Sequence, residues 1–353
     1  MVDPSSLSLH DWAPVSQVRA DRTVVDRPAV PCVDVHNHLG RWLTRDGTWM
    51  TPDVGEVLAV MDACDVVTVV NLDGRWGDEL RANLDRYDRA HEGRFVTFAH
   101  VDWRLLADPG GARGVEQLVR SVADSAAAGA RGLKVWKDLG LEFRDERGSL
   151  VLPDAPEVAA VLDAAGEHAL PVLIHTADPV AFFAPLDRHN ERLEELAECP
   201  DWWFGRPGLP SFQRLVDALE AAVAEHPGTT FVGAHVGCFA EDLRWVDRML
   251  GAYPQLHVDI GGRLPELGRQ PRGFRRLVEA HPEQVLFGTD GYPLGVEVYR
   301  SYARFLETAD ESFPYTPEEE RPSMGRWDIA GAEIPAALLP ALYAGNARRV
   351  LCL

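Results

Sequence analysis

Two histidines separated by one residue, His36 and His38, close the stretch Asp34-Val35-His36-Asn37-His38 and stand just before Leu39-Gly40. On a strand, residues two apart point to the same side, so a strand end here can aim both imidazoles at one point. Neutral imidazole binds zinc and related divalent metals well. A lone H-x-H is a weak signal. Recurrence strengthens it: Val172-Leu173-Ile174 runs into His175, Phe231-Val232-Gly233-Ala234 into His235, and Leu286-Phe287-Gly288-Thr289 into Asp290. Each apolar run ends in a group that can ligate a metal or move a proton. Taken singly, each has a bland reading, and Asp290 could be a helix cap or turn residue.

These residues need a frame that brings four strand ends together. Eight short apolar runs recur, at residues 30–35, 66–72, 95–101, 132–136, 171–175, 230–235, 256–260 and 285–288. Each is about as long as a buried parallel strand. Helical patterns separate them, at 54–64, 77–91, 115–128, 156–168, 212–226, 241–252, 274–280 and 296–308, with a closing pair at 335–343 and 346–351. Gly129 is placed to end the third. This alternation predicts a (β/α)8 barrel, whose strand ends meet at one mouth. A doubly wound open sheet would place a glycine-rich phosphate turn after its first strand, and His-Asn-His-Leu-Gly stands there instead.

The expected organisation is an irregular arm over 1–29 and one barrel domain over 30–353. Two connections exceed what a barrel needs, 176–210 after strand five and 309–334 after strand eight. Long loops in compact domains are often functional. The first carries Phe182, Phe183, Trp202, Trp203 and Phe204, which suits a packed lid or simple packing against the barrel.

The 353 residues include 55 acidic and 35 basic side chains, a formal net charge of −20. Such a surface repels phosphate backbones and argues against nucleic-acid partners. No window has the roughly 18 consecutive apolar residues of a membrane span. Cys32, Cys64, Cys199, Cys238 and Cys352 are scattered, with no C-x-x-C pair, so neither a disulfide framework nor a thiolate zinc site is expected. No secretory signal is read at the N-terminus. A reducing, cytoplasmic setting is the expectation. The partner is a small-molecule substrate, and a homo-oligomer is compatible with the sequence.

From about residue 31 to its end the sequence resembles the amidohydrolase superfamily. Within it, the likeness is to the amidohydrolase-related group that includes the aminocarboxymuconate-semialdehyde-type decarboxylases. The H-x-H pair, His175, Gly-Ala-His235-Val-Gly, Phe-Gly-Thr-Asp290 and the close Tyr343-Ala344-Gly345-Asn346-Ala347 carry the resemblance. It implies one divalent metal, commonly zinc, held by His36, His38, His175 and Asp290, with His235 as the nearby acid/base. A metal with an open position lowers the pKa of bound water towards about 7. Asp290 could also accept that water's proton. Lys134, in Gly132-Leu133-Lys134-Val135-Trp136, occupies the place where binuclear relatives carry a carboxylated lysine. A second metal bridged by Lys134 is therefore the alternative, and neutralising a carboxylate inside the barrel is the plain one.

Arg263, after strand seven, could meet a substrate carboxylate. Arg41 and Trp42 are placed similarly, and each arginine could equally serve a salt bridge. Cys238 has no activating partner in the sequence and reads as packing. The leading functional expectation is a hydrolase that uses metal-activated water on a C–N or C–O bond beside a carbonyl in a small, carboxylate-bearing molecule. The alternatives are a non-oxidative decarboxylase of an aromatic or unsaturated acid, and a non-catalytic binding barrel.

Overall fold

The computed structural model describes residues 3, 5–9, 11–44, 46–107, 111–292, 294–319 and 321–353. Parts of the 1–29 arm and of the 309–334 loop thus lie outside the described residues. Eight strands run in chain order: β1 Cys32–Asn37, β2 Val66–Asn71, β3 Phe95–Thr97, β4 Leu133–Val135, β5 Val172–Ile174, β6 Phe231–Gly233, β7 Leu256–Asp259 and β8 Val285–Leu286. After each comes a helix: α1 Val54–Ala63, α2 Gly77–Leu84, α3 Gly111–Ala128, α4 Pro156–Glu167, α5 Phe212–Glu225, α6 Leu243–Ala252, α7 Pro271–Ala280 and α8 Val296–Glu307.

All strand pairs are parallel, in the orders β1-β2-β3 and β4-β5-β6-β7-β8. Backbone hydrogen bonds continue across both seams. Lys134 N donates to Ala99 O (2.7 Å) and Ala99 N to Gly132 O (2.9 Å) between β3 and β4. Val35 N donates to Phe287 O (3.1 Å) and Asp290 N to His36 O (2.8 Å) between β8 and β1. The result is a (β/α)8 barrel.

Local chemistry fixes the helix starts. Asp53 caps α1 by accepting from Gly55 N, and Ser211 and Asp242 cap α5 and α6. Proline opens α4 and α7, where its missing N–H costs nothing. Gly129, at φ +112°, follows α3 as expected. The strands are shorter than the apolar runs because ladder pairing stops as the chain turns outward. β1 instead lies two residues later than its run, which takes His36 into the strand.

Lys134, Leu173, Val232 and His257 stand side by side across β4–β7, on the same inward face. Leu173 and Val232 belong to a buried cluster with Val33, Val35, Val70, Leu72, Val96, Phe98 and Leu286, joined by Ala344, Ala347 and Leu351 of the C-terminal segment. Asn346 pins that segment by donating from Nδ2 to Pro282 O (2.9 Å) and Val285 O (2.8 Å). A second, larger apolar layer lies between strands and helices.

The 176–210 connection is folded, with short helices at Leu193–Glu198 and Pro200–Trp202. Phe182, Leu196 and Phe204 pack with Phe212, Leu215 and Val216 of α5. The 309–334 connection is tied by paired bonds between Phe313 and Ile329. From the arm, Thr23 reaches Asp310 through N (2.9 Å) and Oγ1 (2.7 Å).

Candidate metal centre

His36, His38, His175, His235 and Asp290 all gather at the C-terminal mouth. Asp290 is the hub. Its Oδ1 lies 3.6 Å from His38 Nε2 and 3.9 Å from His36 Nε2, while its Oδ2 lies 3.9 Å from His235 Nε2. Ligand atoms of His36, His235 and Asp290 all fall within 4.8 Å of one another. The rings of His175 and His235 are 4.5 Å apart, and those of His36 and His235 4.6 Å.

Each imidazole is oriented by an acceptor on its far nitrogen. His36 Nδ1 donates to Asp259 Oδ2 (2.9 Å), His38 Nδ1 to Asp73 Oδ1 (2.7 Å) and His235 Nδ1 to Gly261 O (2.8 Å). An ionised carboxylate or a carbonyl only accepts, so Nε2 of each keeps its lone pair for the shared space. His175 is turned the other way. Its Nε2 faces Asp178 Oδ1 (3.2 Å), which leaves Nδ1 as the free nitrogen. His36 Nε2 and His175 Nδ1 are buried with no hydrogen-bond partner. Buried polar atoms are rarely left so. Burial holds His36 and His235 well below the ordinary histidine range, helped by the charges of Lys134 and Arg263 respectively, and holds His175 at about 3. The neutral rings of His36, His175 and His235, gathered with His38 beside one carboxylate, fit a divalent metal of the zinc type.

The backbone is strained to reach this geometry. His235 (φ 56°, ψ 48°) and Val236 (φ 61°, ψ 42°) are left-handed, and Gly237 and Cys238 continue the turn. A left-handed L-residue costs roughly 1–2 kcal/mol. Cys238 N offsets part of this by donating to Ala234 O (2.8 Å) and His235 O (3.1 Å), and His235 N donates to Asp259 Oδ1 (3.1 Å). Asp290 is also left-handed, at φ 52°. Opposite it, Gly262 takes φ +62°, a left-handed turn that glycine adopts without the strain an L side chain would meet.

The other expected residues divide. Lys134 is buried in the barrel, and its Nζ has no hydrogen-bond partner. Burial lowers its pKa to about 8, against the nearby charges of Asp259 and Asp290. No carboxylate lies within ion-pair distance of it among the described residues, so the simple neutralising pair is not formed. Trp42 joins the site: Nε1 donates to Asp73 Oδ1 (2.8 Å), and its ring stands 5.2 Å from that of Trp136. Arg263 is nearly buried and donates from Nη1 to Gly262 O (2.8 Å). Arg41 turns away to Glu79 and takes the salt-bridge role. Cys238 is buried, accepts from Thr176 N, and carries a thiol whose pKa burial raises, as a packing residue would.

Sequence reading passed over Asp73, Trp136, Asp178 and Asp259. Asp73 follows the β2 run as Asp290 follows β8, so the same rule of runs ending in polar groups could have found it. Trp136 sets its ring edge-on to His38 (5.0 Å) and His175 (5.4 Å). Asp178 is ion-paired with Lys137. Burial alone would raise its pKa, but Lys137 and His175 outweigh it and hold it well down. Trp202 and Phe204 of the long connection lie over the Lys137 ammonium, 5.6 and 5.7 Å from it. The insertion thus meets His175 directly through its own Asp178, and its Trp202 and Phe204 reach that carboxylate through Lys137.

A family model described as amidohydrolase matches residues 33–353. The chain belongs to that family. Solved structures share its fold at low identity. A 2,6-dihydroxybenzoate decarboxylase from Rhizobium is 16% identical, with a TM-score of 0.54, covering 92% of this chain and 99% of its own. An amidohydrolase from Burkholderia multivorans is 18% identical, with a TM-score of 0.52, covering 92% and 100%. The 5-carboxyvanillate decarboxylase of Sphingomonas paucimobilis is 14% identical, with a TM-score of 0.54, covering 92% and 100%. No curated protein matches the chain. Among the described residues no helix is long and apolar enough to cross a membrane.

Proposed function

We infer that the protein is a metal-dependent carboxy-lyase that removes a carboxylate, without oxidation, from a small aromatic or unsaturated acid. The observation that carries this is the indole wall: Trp136 touches both His38 and His175, and Trp42 stands against Trp136. A flat, unsaturated substrate fits beside such rings. Two of the structural neighbours are decarboxylases of aromatic acids by name, which supports the reading over the hydrolase expected first.

His36 and His38 through Nε2, His175 through Nδ1 and Asp290 through Oδ1 would hold one zinc ion. When bound, the metal supplies a Lewis acid that anchors substrate oxygens. Arg263 adds a positive charge beside His235 and favours an anionic substrate. His235 carries the proton. With Nδ1–H tied to Gly261 O, it exchanges protons only at Nε2. Burial keeps the resting imidazole neutral, so the proton it delivers to carbon is first taken up at Nε2, 3.9 Å from the Asp290 carboxylate, whose charge favours the cation. The bond between the carboxylate carbon and the substrate breaks, its electron pair stays on the substrate, carbon dioxide leaves, and the Nε2 proton takes the vacated position. Water supplies the proton that replaces the one Nε2 gives up, so the reaction consumes one solvent proton for each carbon dioxide released.

Hydrolysis is the second reading. It is favoured by the neutral state of His235, whose lone pair could accept a proton from water. The zinc-loaded protein should release carbon dioxide from hydroxybenzoic acids and incorporate deuterium at the vacated carbon in heavy water. Product carrying labelled oxygen from water, with no carbon dioxide, would establish the hydrolase instead.

A further inference from the structure

Arg75 stands just past the end of β2, in Asp73-Gly74-Arg75-Trp76-Gly77. Three independent observations mark it. Its backbone is left-handed, at φ 57°, though it is not glycine. Such strain is retained mainly where the rest of the fold imposes it, and it clusters at ligand sites. Here His100 N holds the turn by donating to Arg75 O (2.8 Å).

Its guanidinium is clamped between two indoles, 4.9 Å from the ring centre of Trp42 and 4.2 Å from that of Trp76. Stacking of this kind fixes the plane of the fork and leaves its N–H edge free. Finally, the fork has no acid. In a chain with 55 acidic side chains against 35 basic ones, no carboxylate lies within ion-pair distance of Arg75 among the described residues, and its side chain donates no hydrogen bond there. The nearby acids are committed elsewhere: Asp102 is paired with Arg104 (2.6 Å), and Asp73 accepts from His38, Trp42 and Gly40. Asp138 is near enough to favour the charge but makes no ion pair with it. Burial and the neighbouring charge of Arg104 make an unpaired guanidinium here costlier than at the open surface.

Trp42 links the clamp to the candidate metal centre. Trp42 shares Asp73 with His38, and its far neighbour Trp136 contacts His38 and His175. Arg263 flanks His235 on the β7 side, so Arg75 marks the opposite, β2 side of the mouth.

We propose that Arg75, held between Trp42 and Trp76, is a subsite for a second acidic group of the substrate, remote from the carboxylate that reacts. The substrate class is then a planar dicarboxylic acid or its equivalent, with one acid at the metal and one on the Arg75 fork. This rests on the reading of the site as one for small unsaturated acids. Arg75 touches no reacting atom and acts as a specificity-determining residue.

Calorimetric titration of the zinc-loaded full chain with benzoate, isophthalate and terephthalate tests it. Wild type should bind the better dicarboxylate about tenfold or more tighter than benzoate. Arg75→Gln should remove most of that preference and leave benzoate affinity within about twofold. Arg75→Lys should restore part of it, since it keeps charge but not the flat fork. It also serves if the glutamine variant does not fold. Equal weakening of all three probes in the variants would make Arg75 a wall support and overturn the proposal. So would the absence of any dicarboxylate preference in wild type. In both cases the acid site itself stands, because benzoate still binds. Failure of wild type to bind any of the three would sink the acid-site reading and the subsite with it.

Discussion

Asp290 offers its two oxygens to different neighbours, Oδ1 to His36 and His38 and Oδ2 to His235. This division argues for separate jobs, with ligands on one side and a proton carrier on the other. The compact grouping of His36, His235 and Asp290 would also allow His235 to ligate, and metal content separates the two. His36→Ala and Asp290→Asn are expected to purify with little metal and no turnover. His235→Ala is expected to keep about one metal per chain and lose about 10²–10⁴-fold in rate, the usual worth of a positioned general acid. Loss of metal from the His235 variant would make it a ligand. Two metals per chain with added mass on Lys134 would establish the bridged alternative.

At the scale of elements, the apolar runs made the eight strands legible, because buried parallel strands need continuous hydrophobic residues. The strand-end histidines were legible for the same reason. What each ring nitrogen does was not, because that depends on acceptors brought from other strands. Asp259 on β7 orients His36 on β1, and Asp178 on the β5 loop orients His175. Nor does spacing reveal the left-handed turn at His235, which packing and the Asp259 bond impose. β7 also places His257 two residues before Asp259, on the same inward face. Its Nδ1 donates to Phe231 O (3.3 Å), and burial, with Arg349 nearby, lowers its pKa to about 4. The unfolded chain takes up a proton near pH 6.5 that the folded strand refuses. Stability from this residue is therefore full above about pH 6.5 and is lost as pH falls towards 4, at up to about 1.4 kcal/mol per pH unit. His257→Gln, which can still donate to Phe231, should flatten the acid limb of urea-midpoint measurements between pH 6.5 and 4. An unchanged slope would mean that His257 is solvated or already protonated in the folded protein.

On the scale of the whole molecule, the long insertion is joined to the β7 side of the mouth by a buried ion pair. Arg192 precedes the Leu193–Glu198 helix, is 1% exposed, and meets both Glu195 (2.8 Å) and Glu266. Glu266 is 2% exposed and lies three residues beyond Arg263. Arg269 with Glu191 and Arg326 with Glu194 add further ties from the barrel and the 309–334 loop to the same insertion. These two are more exposed and contribute little each, about 0–1 kcal/mol. The buried pair differs in kind. Removing one partner strands a charge away from water, at a cost of about 3–5 kcal/mol, whereas replacing both by apolar groups of similar volume is often close to neutral. Arg192→Met, which leaves the buried Glu266 without its cation, should accordingly lower unfolding stability by about 3–5 kcal/mol in urea titrations. The double variant Arg192→Met, Glu266→Leu should recover most of that loss. Glu191→Ala, at the exposed tie, should fall within about 1 kcal/mol of wild type. If Arg192→Met cost no more than Glu191→Ala, Glu266 would have reached water, and the insertion would be held to the barrel by its aromatic packing against α5 rather than by this pair.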